Sequence, residues 1–559
     1  MGSYPEMSPE TGRAMRQVEA EFAAQLAAVR PALSHAYAAA LPGARAAVLG
    51  RLWRGLLHEP LPGVAAAGGG VVLLEDGRVL TGPRRLPYDL HPEPALRLEG
   101  REHDHPAELI AALGLPRTAG LVEALDDCVA SMALSRARAP GEGPPGRERD
   151  RVTHDHLVAQ DHPVADEQSV AHEQSMTDGH PYHPLCRARP GFSVCEQLRY
   201  LPEHHPIVPL DLVAAPEASC AVAGRWPADL LDGSRLLLPV HPWQTRHVLP
   251  GLGLRPYQAA AVPAHPLMAV RTLAPLAGGP HVKTALSALL TSAVRDISPG
   301  SVRDSVPLSD LVARVADRLG GRLHVARYVT GAAAMVRGEH RPELAAMLRE
   351  PTSAFTGPDE TAVPVAALTR DLVTDPPRWL ASFARLALGA GLGMLALGVG
   401  LEAHGQNLLV VLDGSGRPVR LVYRDLADVR LSPARLRHAG FDVPPLSARL
   451  LSDDPGVLRT KLYASLVGTT CGSLVALLGG GDRAAESALW EIVADAALAA
   501  SSDPAHPRGP YAAADLEALF APGLPGKAYT VMRLDGAPPG DVWISLPNPL
   551  AAHRRRPAR

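Results

Sequence analysis

At 559 residues the chain is too long for one ordinary hydrophobic core, so two or three domains are expected. Its 46% hydrophobic and 20% charged residues exclude intrinsic disorder, and a net charge of -3 excludes a globally basic, nucleic-acid-binding surface. The 5 cysteines are odd in number with no C-x-x-C pair, which suits reduced thiols in a cytoplasmic protein better than a disulfide framework or a zinc ribbon.

The first residues, Met1 to Glu6, lack a basic stretch followed by an apolar run, so no signal peptide is read. Residues 11–57 carry helical apolar spacing at Val18, Phe22, Leu26 and Val29, with breaks at Pro31 and Pro42. Gly68 to Gly70 then opens Val71-Val72-Leu73-Leu74, and the Asp76-Gly77 turn leads into Val79-Leu80, a hairpin signal. Helical segments follow over 108–113 and 119–134. The proline- and glycine-rich stretch 137–150 sets a first boundary, giving domains over 1–150 and onward from 151.

The middle region, 151–355, mixes short strands and helices. Leu236 to Val240 is a strand ending at His241-Pro242-Trp243-Gln244; 268–273 is extended, and 286–294 is helical or extended. Runs 323–328 and 332–336 are expected to pair as strands. The polar, proline-bearing stretch 351–364 sets the second boundary, leaving 356–559 as the last domain. Within it, 386–401 is glycine-rich and shorter than the ~20 residues of a membrane span, so it reads as a buried helix. Strands over 408–412 and 419–425 flank the turn Asp413-Gly414-Ser415-Gly416, and 457–478 is helical. The tail from His553 reads as a solvated end.

That hairpin places Asn407 and Asp425 at similar distances from its turn, on opposite arms. A carboxamide and a carboxylate so placed can hold the magnesium of ATP, as in protein kinases; the plain structural alternative is a helix cap at Asn407 and a turn at Asp425. Glu402 could add an oxygen, His404 a phosphate hydrogen bond and Arg424 a nearby charge. In Gly179-His180-Pro181-Tyr182-His183-Pro184, proline after each histidine enforces a sharp turn. His180 and His183 with Arg187 and Arg189 could neutralise a polycarboxylate or a developing acyl phosphate. Zinc competes for the histidine-rich approach (His154, His156, His162, His172), but His172-Glu173-Gln174-Ser175-Met176 lacks the second histidine of H-E-x-x-H. Arg271, in an apolar run, Lys283 and Arg295 need anionic partners, which phosphates or carboxylates would supply.

In order and spacing these motifs resemble the siderophore synthetases that work without a peptide-synthetase template (NRPS-independent, NIS), the aerobactin-synthetase (IucA/IucC) family. The family's G-H-P-x-H-P-x-x-K-x-R-x-G-F-S matches Gly179 to Ser193 with Arg187 for lysine. Glu173, the Y-x-P-E pattern from Tyr200, H-P-W-Q at His241 to Gln244, Lys283, Thr291, Arg295 and E-x-H-x-Q-N from Glu402 to Asn407 follow, then Arg424-Asp425, Lys527 and Arg533. The S-x-R-T segment reads Ala269-Val270-Arg271-Thr272, without its serine.

The resemblance implies an α+β cupped hand with a helical thumb, mixed α/β fingers and a kinase-like palm. It implies an AMP-forming ligase that activates citrate or a related acid as an acyl-adenylate and condenses it with an amine or alcohol, as a homodimer with neither nucleic acid nor membrane as partner. ATP would be met by Arg271, Thr272, Lys283, Thr291, Glu402, His404 and Gln406. Magnesium would lie at Asn407, Asp425 and Glu402, and the acid at His180, His183, Arg187, Arg189 and Arg295. The alternatives are a kinase-like phosphotransferase making ADP and a catalytically impaired ligand-binding relative.

Overall fold

The structure, a computed structural model, describes residues 16–90, 94–137, 164–290, 293–502, 507, 510–537 and 540–553. It is a mixed α+β architecture. Thr291, His154, His156 and His162 lie outside the described residues.

The N-terminal part is built on the helix Ser34–His58, whose last turns are buried from Val48 to Leu57. Pro42 does not end this helix as expected. It sits on the exposed face, where water can satisfy the carbonyl that loses its donor. The helix packs on Ala119–Arg136. Beside them lies an antiparallel sheet of five strands in chain order from Val64–Gly68 to Arg101–His103. It includes the expected hairpin Val71–Leu74 to Val79–Thr81, with Gly77 at φ 89° in its turn.

A nine-stranded sheet forms the middle part. In it Thr272–Pro275 pairs with His281–Thr284, setting Thr272 opposite Lys283, and His281–Thr284 pairs in turn with Glu339–Arg349. The helix Pro299–Asp317 covers one face, burying Val302, Leu308, Leu311, Val312 and Val315 at helical spacing. Residues 286–295 form a separate hairpin, Leu286–Leu290 with Ala293–Arg295.

The expected pairing of 323–328 with 332–336 is not formed. Tyr328–Val336 turns back at Gly338, φ 81°, and pairs with Glu339–Arg349. Leu323–Val325 instead runs parallel to Leu421, Val422 and Tyr423. It is the edge of a four-stranded sheet completed by Pro418–Tyr423, Leu408–Leu412 and Thr361–Pro364. Short apolar runs announce strands without naming their partners, and here the nearest run in sequence was the wrong one.

Behind this sheet the helix Pro376–Leu397 ends at Gly398, φ 106°, and packs on Arg483–Ser502. The helical run Pro455–Gly479 contains a π-helical segment, Tyr463–Cys471. Pro376–Leu397 and Pro455–Gly479 are long and apolar enough to cross a membrane, but 78% of each apolar window is buried inside the protein.

Candidate active site

A cavity of about 940 Å³ opens where the three parts meet, with Arg51, His180, Arg271, Asn407, Asp425 and Lys527 among its walls. Its centre is the loop from Thr177 to Ser193. The helix Ala119–Arg136 grips this loop through four of its residues. Asp127 accepts the amide N–H of Arg189 at 2.5 Å, and the Cys128 thiol accepts from the Arg187 N–H at 3.3 Å. Ser135 donates to the Thr177 carbonyl at 2.8 Å, and Arg136 forks onto Asp178. Gly179 sits at φ 73°, where a Cβ would stand 2.9 Å from the Cys186 carbonyl oxygen, so glycine is required there.

The proline after each histidine has a second effect. Lacking an N–H, it leaves the amide of the following residue as the nearest donor to the ring. Nδ1 of His180 accepts from the amides of Tyr182 and His183, both at 3.2 Å, and Nδ1 of His183 from Leu185 at 3.0 Å. His241 does the same with Trp243 at 3.1 Å. A nitrogen that accepts carries no proton, so each neutral ring is fixed with its proton on Nε2. The His180 Nε2–H therefore donates to the hydroxyl of Tyr529 at 3.2 Å. Burial, helped by Arg533 and Arg295, lowers the His183 pKa to about 3, and burial with His183 nearby holds His180 well below its ordinary value. Neutral rings bring an oriented N–H and no charge to this loop.

Lys283 is 2% exposed and donates to Asp425 Oδ1 at 2.7 Å and to the Tyr328 hydroxyl at 3.0 Å. Burial alone would raise the Asp425 pKa; Lys283, Arg271 and Arg349 hold it well below the carboxylate range. Asp425 also adopts φ 65°, a strained conformation for a residue with a side chain. The hairpin ladder runs one step past Leu408 and Tyr423, with Arg424 N–H donating to the Asn407 carbonyl at 2.9 Å, so Asn407 stands opposite Arg424, and both Asn407 and Asp425 border the cavity at the hairpin's open end. The Asn407 amide donates to the Glu402 carbonyl at 3.3 Å, which leaves its own oxygen for another partner. Among the described residues no group of three or more His, Cys, Asp or Glu is arranged to hold a metal ion. The free oxygens of Asn407 and Asp425 fit magnesium, which takes the rest of its shell from phosphate and water.

Other expected residues are placed differently. The Glu402 carboxylate, expected at the metal, is bound by Lys527 at 3.0 Å with Lys461 at 3.8 Å, and both lysines also reach Asp541. Arg424, expected beside the metal, forks onto buried Glu173. Thr272 is buried in its strand and is not a cavity-wall residue. Arg187 is paired with Glu203 at 3.0 Å, while Arg189, also on the wall, donates to the Ala188 carbonyl. Arg271 donates to the Asp296 carbonyl at 3.3 Å and Arg295 to that of Leu290 at 2.9 Å, so both keep their charge without a bonded carboxylate. Ala269, His404 and Gln406 face the cavity. The His-Pro-Trp-Gln motif does not. Its Gln244 holds Ser287 through both backbone N–H and hydroxyl, at 2.8 Å each, and fixes the hairpin that carries Arg295.

The cavity also contains residues that no motif announced: Arg51, Arg54, Lys461, Tyr529, Asp541 and Trp543. Arg54, within Leu52-Trp53-Arg54-Gly55-Leu56, obeys the same signal that marked Arg271, a charge inside an apolar run. Tyr529 and Asp541 give no local signal.

Residues 168–370 match the IucA / IucC family, and residues 377–538 match the family described as ferric iron reductase FhuF-like transporter. Staphyloferrin A synthase of Staphylococcus aureus (strain NCTC 8325 / PS 47) is 23% identical over 426 residues, 67% of this chain and 71% of that protein. D-ornithine--citrate ligase of the same strain is 21% identical over 456 residues, covering 67% and 68%. The petrobactin biosynthesis protein AsbB of Bacillus anthracis str. Sterne superposes with a TM-score of 0.74 at 18% identity, over 93% of this chain and 98% of AsbB. ATP-bound aerobactin synthetase IucA from a hypervirulent pathotype of Klebsiella pneumoniae gives 0.66 at 20% identity, over 91% and 99%. With its motifs in family order, the chain matches the IucA / IucC family over residues 168–370 and shares the fold of AsbB and aerobactin synthetase IucA.

Proposed function

We propose that the chain is an ATP-dependent ligase that activates a carboxylate of citrate or a related polycarboxylic acid as an acyl-adenylate. It then condenses the acyl group with an amine or alcohol. The observation that carries this reading is that Asn407, Asp425 with its partner Lys283 behind it, the cations Arg271 and Arg295 and the two neutral imidazoles come together at one cavity. The names of the relatives, a D-ornithine--citrate ligase among them, support a carboxylic acid and an amine as substrates. In this reading 1–150 is the thumb, 151–355 the fingers and 356–559 the palm of a cupped hand.

Arg271 and Lys283 position the ATP phosphates, and His404 and Gln406 face them from the second motif. Magnesium, held by Asn407 and Asp425, would supply charge to the triphosphate. A substrate carboxylate oxygen attacks the α-phosphorus, and the bond to pyrophosphate breaks. Arg295 holds the acid. The amine or hydroxyl then attacks the acyl carbon, AMP leaves with the C–O electron pair, and the nucleophile loses its proton. Acid-dependent release of pyrophosphate and AMP tests the reading, and formation of ADP instead would overturn it.

A further inference from the structure

Before the turn that carries Gln406 and Asn407, the second motif runs as Leu401-Glu402-Ala403-His404, outside any helix or strand. Glu402 and His404 border the cavity, while Ala403 between them is 2% exposed and off its wall. A buried N–H and C=O with no ladder to join need other partners. Both find them on one stretch of helix. The Ala403 N–H donates to the Ser465 hydroxyl at 2.9 Å, and the Ala403 carbonyl accepts from the Thr470 hydroxyl at 2.7 Å. Ser465 in turn donates to the Lys461 carbonyl at 2.6 Å, which leaves its oxygen free to accept. The N–H belongs to the peptide joining Glu402 to Ala403, and the carbonyl to the peptide joining Ala403 to His404. Ser465 therefore fixes the plane next to Glu402, and Thr470 the plane that leads to His404.

Ser465 and Thr470 are five residues apart. On an α-helix, at about 100° per residue, such side chains point about 140° away from each other and cannot both close on one alanine. Here the run Pro455–Gly479 is π-helical from Tyr463 to Cys471. A π-helix bonds each carbonyl to the N–H five residues on, so positions five apart stand nearly one above the other. Thr469 shows the same spacing, its hydroxyl donating to the Ala464 carbonyl at 3.1 Å. Such segments are rare and are found mostly at functional sites. Thr470 is 0% exposed, so it reaches no ligand itself. We propose that the π-helical segment is the positioning device of the second motif, with Ser465 and Thr470 as positioning residues that hold Glu402 and His404 in the attitude the reaction needs. This inference rests on the ligase reading above, in which His404 faces the ATP phosphates. A misplacement of about 1 Å can cost about a hundredfold in rate, so a hydroxyl that never touches substrate can govern turnover.

The test is a double-mutant cycle between Thr470→Val and His404→Ala in the full chain. Adenylation is read as acid-dependent ATP–pyrophosphate exchange, and ATP affinity by titration calorimetry without acid. Thr470→Val keeps the shape of the side chain and removes its hydroxyl. It should slow exchange at least about tenfold when His404 is present and less than about threefold once His404 is alanine. Thr470→Ser should recover most of the rate. A general loss of packing acts alike in both backgrounds, so equal losses in the two would overturn the inference, as would exchange by Thr470→Val within about twofold of wild type. If Thr470→Val does not fold, Ser465→Ala is put through the same cycle against Glu402→Gln, and the same limits decide. ATP binding by the wild type without exchange for any acid would instead overturn the ligase reading. The cycle then runs on ATP affinity, where Thr470→Val should weaken binding at least about threefold only while His404 is present, and equal affinities would overturn the positioning role too.

Discussion

Changing Asp425 to Asn removes the carboxylate that answers Lys283 across 2.7 Å, in a pair whose lysine is 2% exposed. Leaving one charge of a buried pair without its partner costs about 3–5 kcal/mol, and the retained amide oxygen favours the lower figure, about 3. For a cooperative unit of about 150–250 residues that is roughly 6–12 °C in thermal midpoint. Loss of activity in this variant could therefore reflect loss of structure. The double variant Lys283→Met with Asp425→Asn separates the two, because replacing both charges by uncharged groups is often close to neutral in stability. We expect the double variant to melt within a few degrees of wild type and to release pyrophosphate at least about a hundredfold more slowly. Differential scanning calorimetry and a coupled pyrophosphate assay measure both. If the double variant turns over within tenfold of wild type at an unchanged magnesium dependence, the reasoning about Asp425 is wrong.

Three further outcomes follow from the site. His183→Asn, which keeps an N–H, should retain more activity than His183→Ala, and wild-type kcat/KM should show no limb near pH 6.5 from this ring; a limb there that both variants abolish would restore a titrating role. Because its folded pKa is about 3 against 6.5 unfolded, its stability contribution is complete above pH 6.5 and is lost as pH falls towards 3. Denaturant titrations should show it at about 1.4 kcal/mol per pH unit for that one proton. Ala269→Ser adds a hydroxyl to the cavity wall, and a neutral hydrogen bond of about 0.5–1.5 kcal/mol predicts a roughly two- to tenfold gain in ATP affinity or turnover; no change in either would show that the serine position does not reach the phosphates. Gln244→Leu frees Ser287 and the hairpin bearing Arg295, so KM for the acid should rise severalfold while ATP affinity holds, and an unchanged KM would sever the motif from the site.

What could be read from the sequence was what is local in the chain. The turn at Asp413 to Gly416 fixes its hairpin, and counting outward brings Asn407 and Asp425 to its open end without any knowledge of the fold. The His-Pro pairs announced a sharp loop, but the protonated nitrogen depends on amides that only the folded turn brings to the rings. Thr272 and Lys283 looked alike as site residues; they face each other across two strands and are both 2% exposed, and side-chain length separates them, since Lys283 reaches Asp425 while Thr272 stays in its sheet. Glu402 could not be assigned from its motif because its partners, Lys461 and Lys527, lie 59 and 125 residues away in sequence. Tyr529 and Asp541 enter the cavity from the far end of the chain by tertiary folding alone.

The parallel strand Leu323–Val325 has a meaning for how such a gene can be divided or recombined. The two family matches abut between residues 370 and 377, a natural place to cut or to splice relatives. Yet two strands of the four-stranded sheet, Leu323–Val325 and Thr361–Pro364, are encoded before that junction, and the two strands of the Asn407–Asp425 hairpin after it. A chimera joined there would ask the hairpin to accept edge strands evolved beside another sequence, with Val422 meeting a foreign neighbour in place of His324. A C-terminal fragment begun at 377 would carry the Asn407–Asp425 hairpin with both flanks bare, as open templates for aggregation. The inheritable unit that keeps this site intact starts before Leu323, inside what the profiles treat as the preceding family.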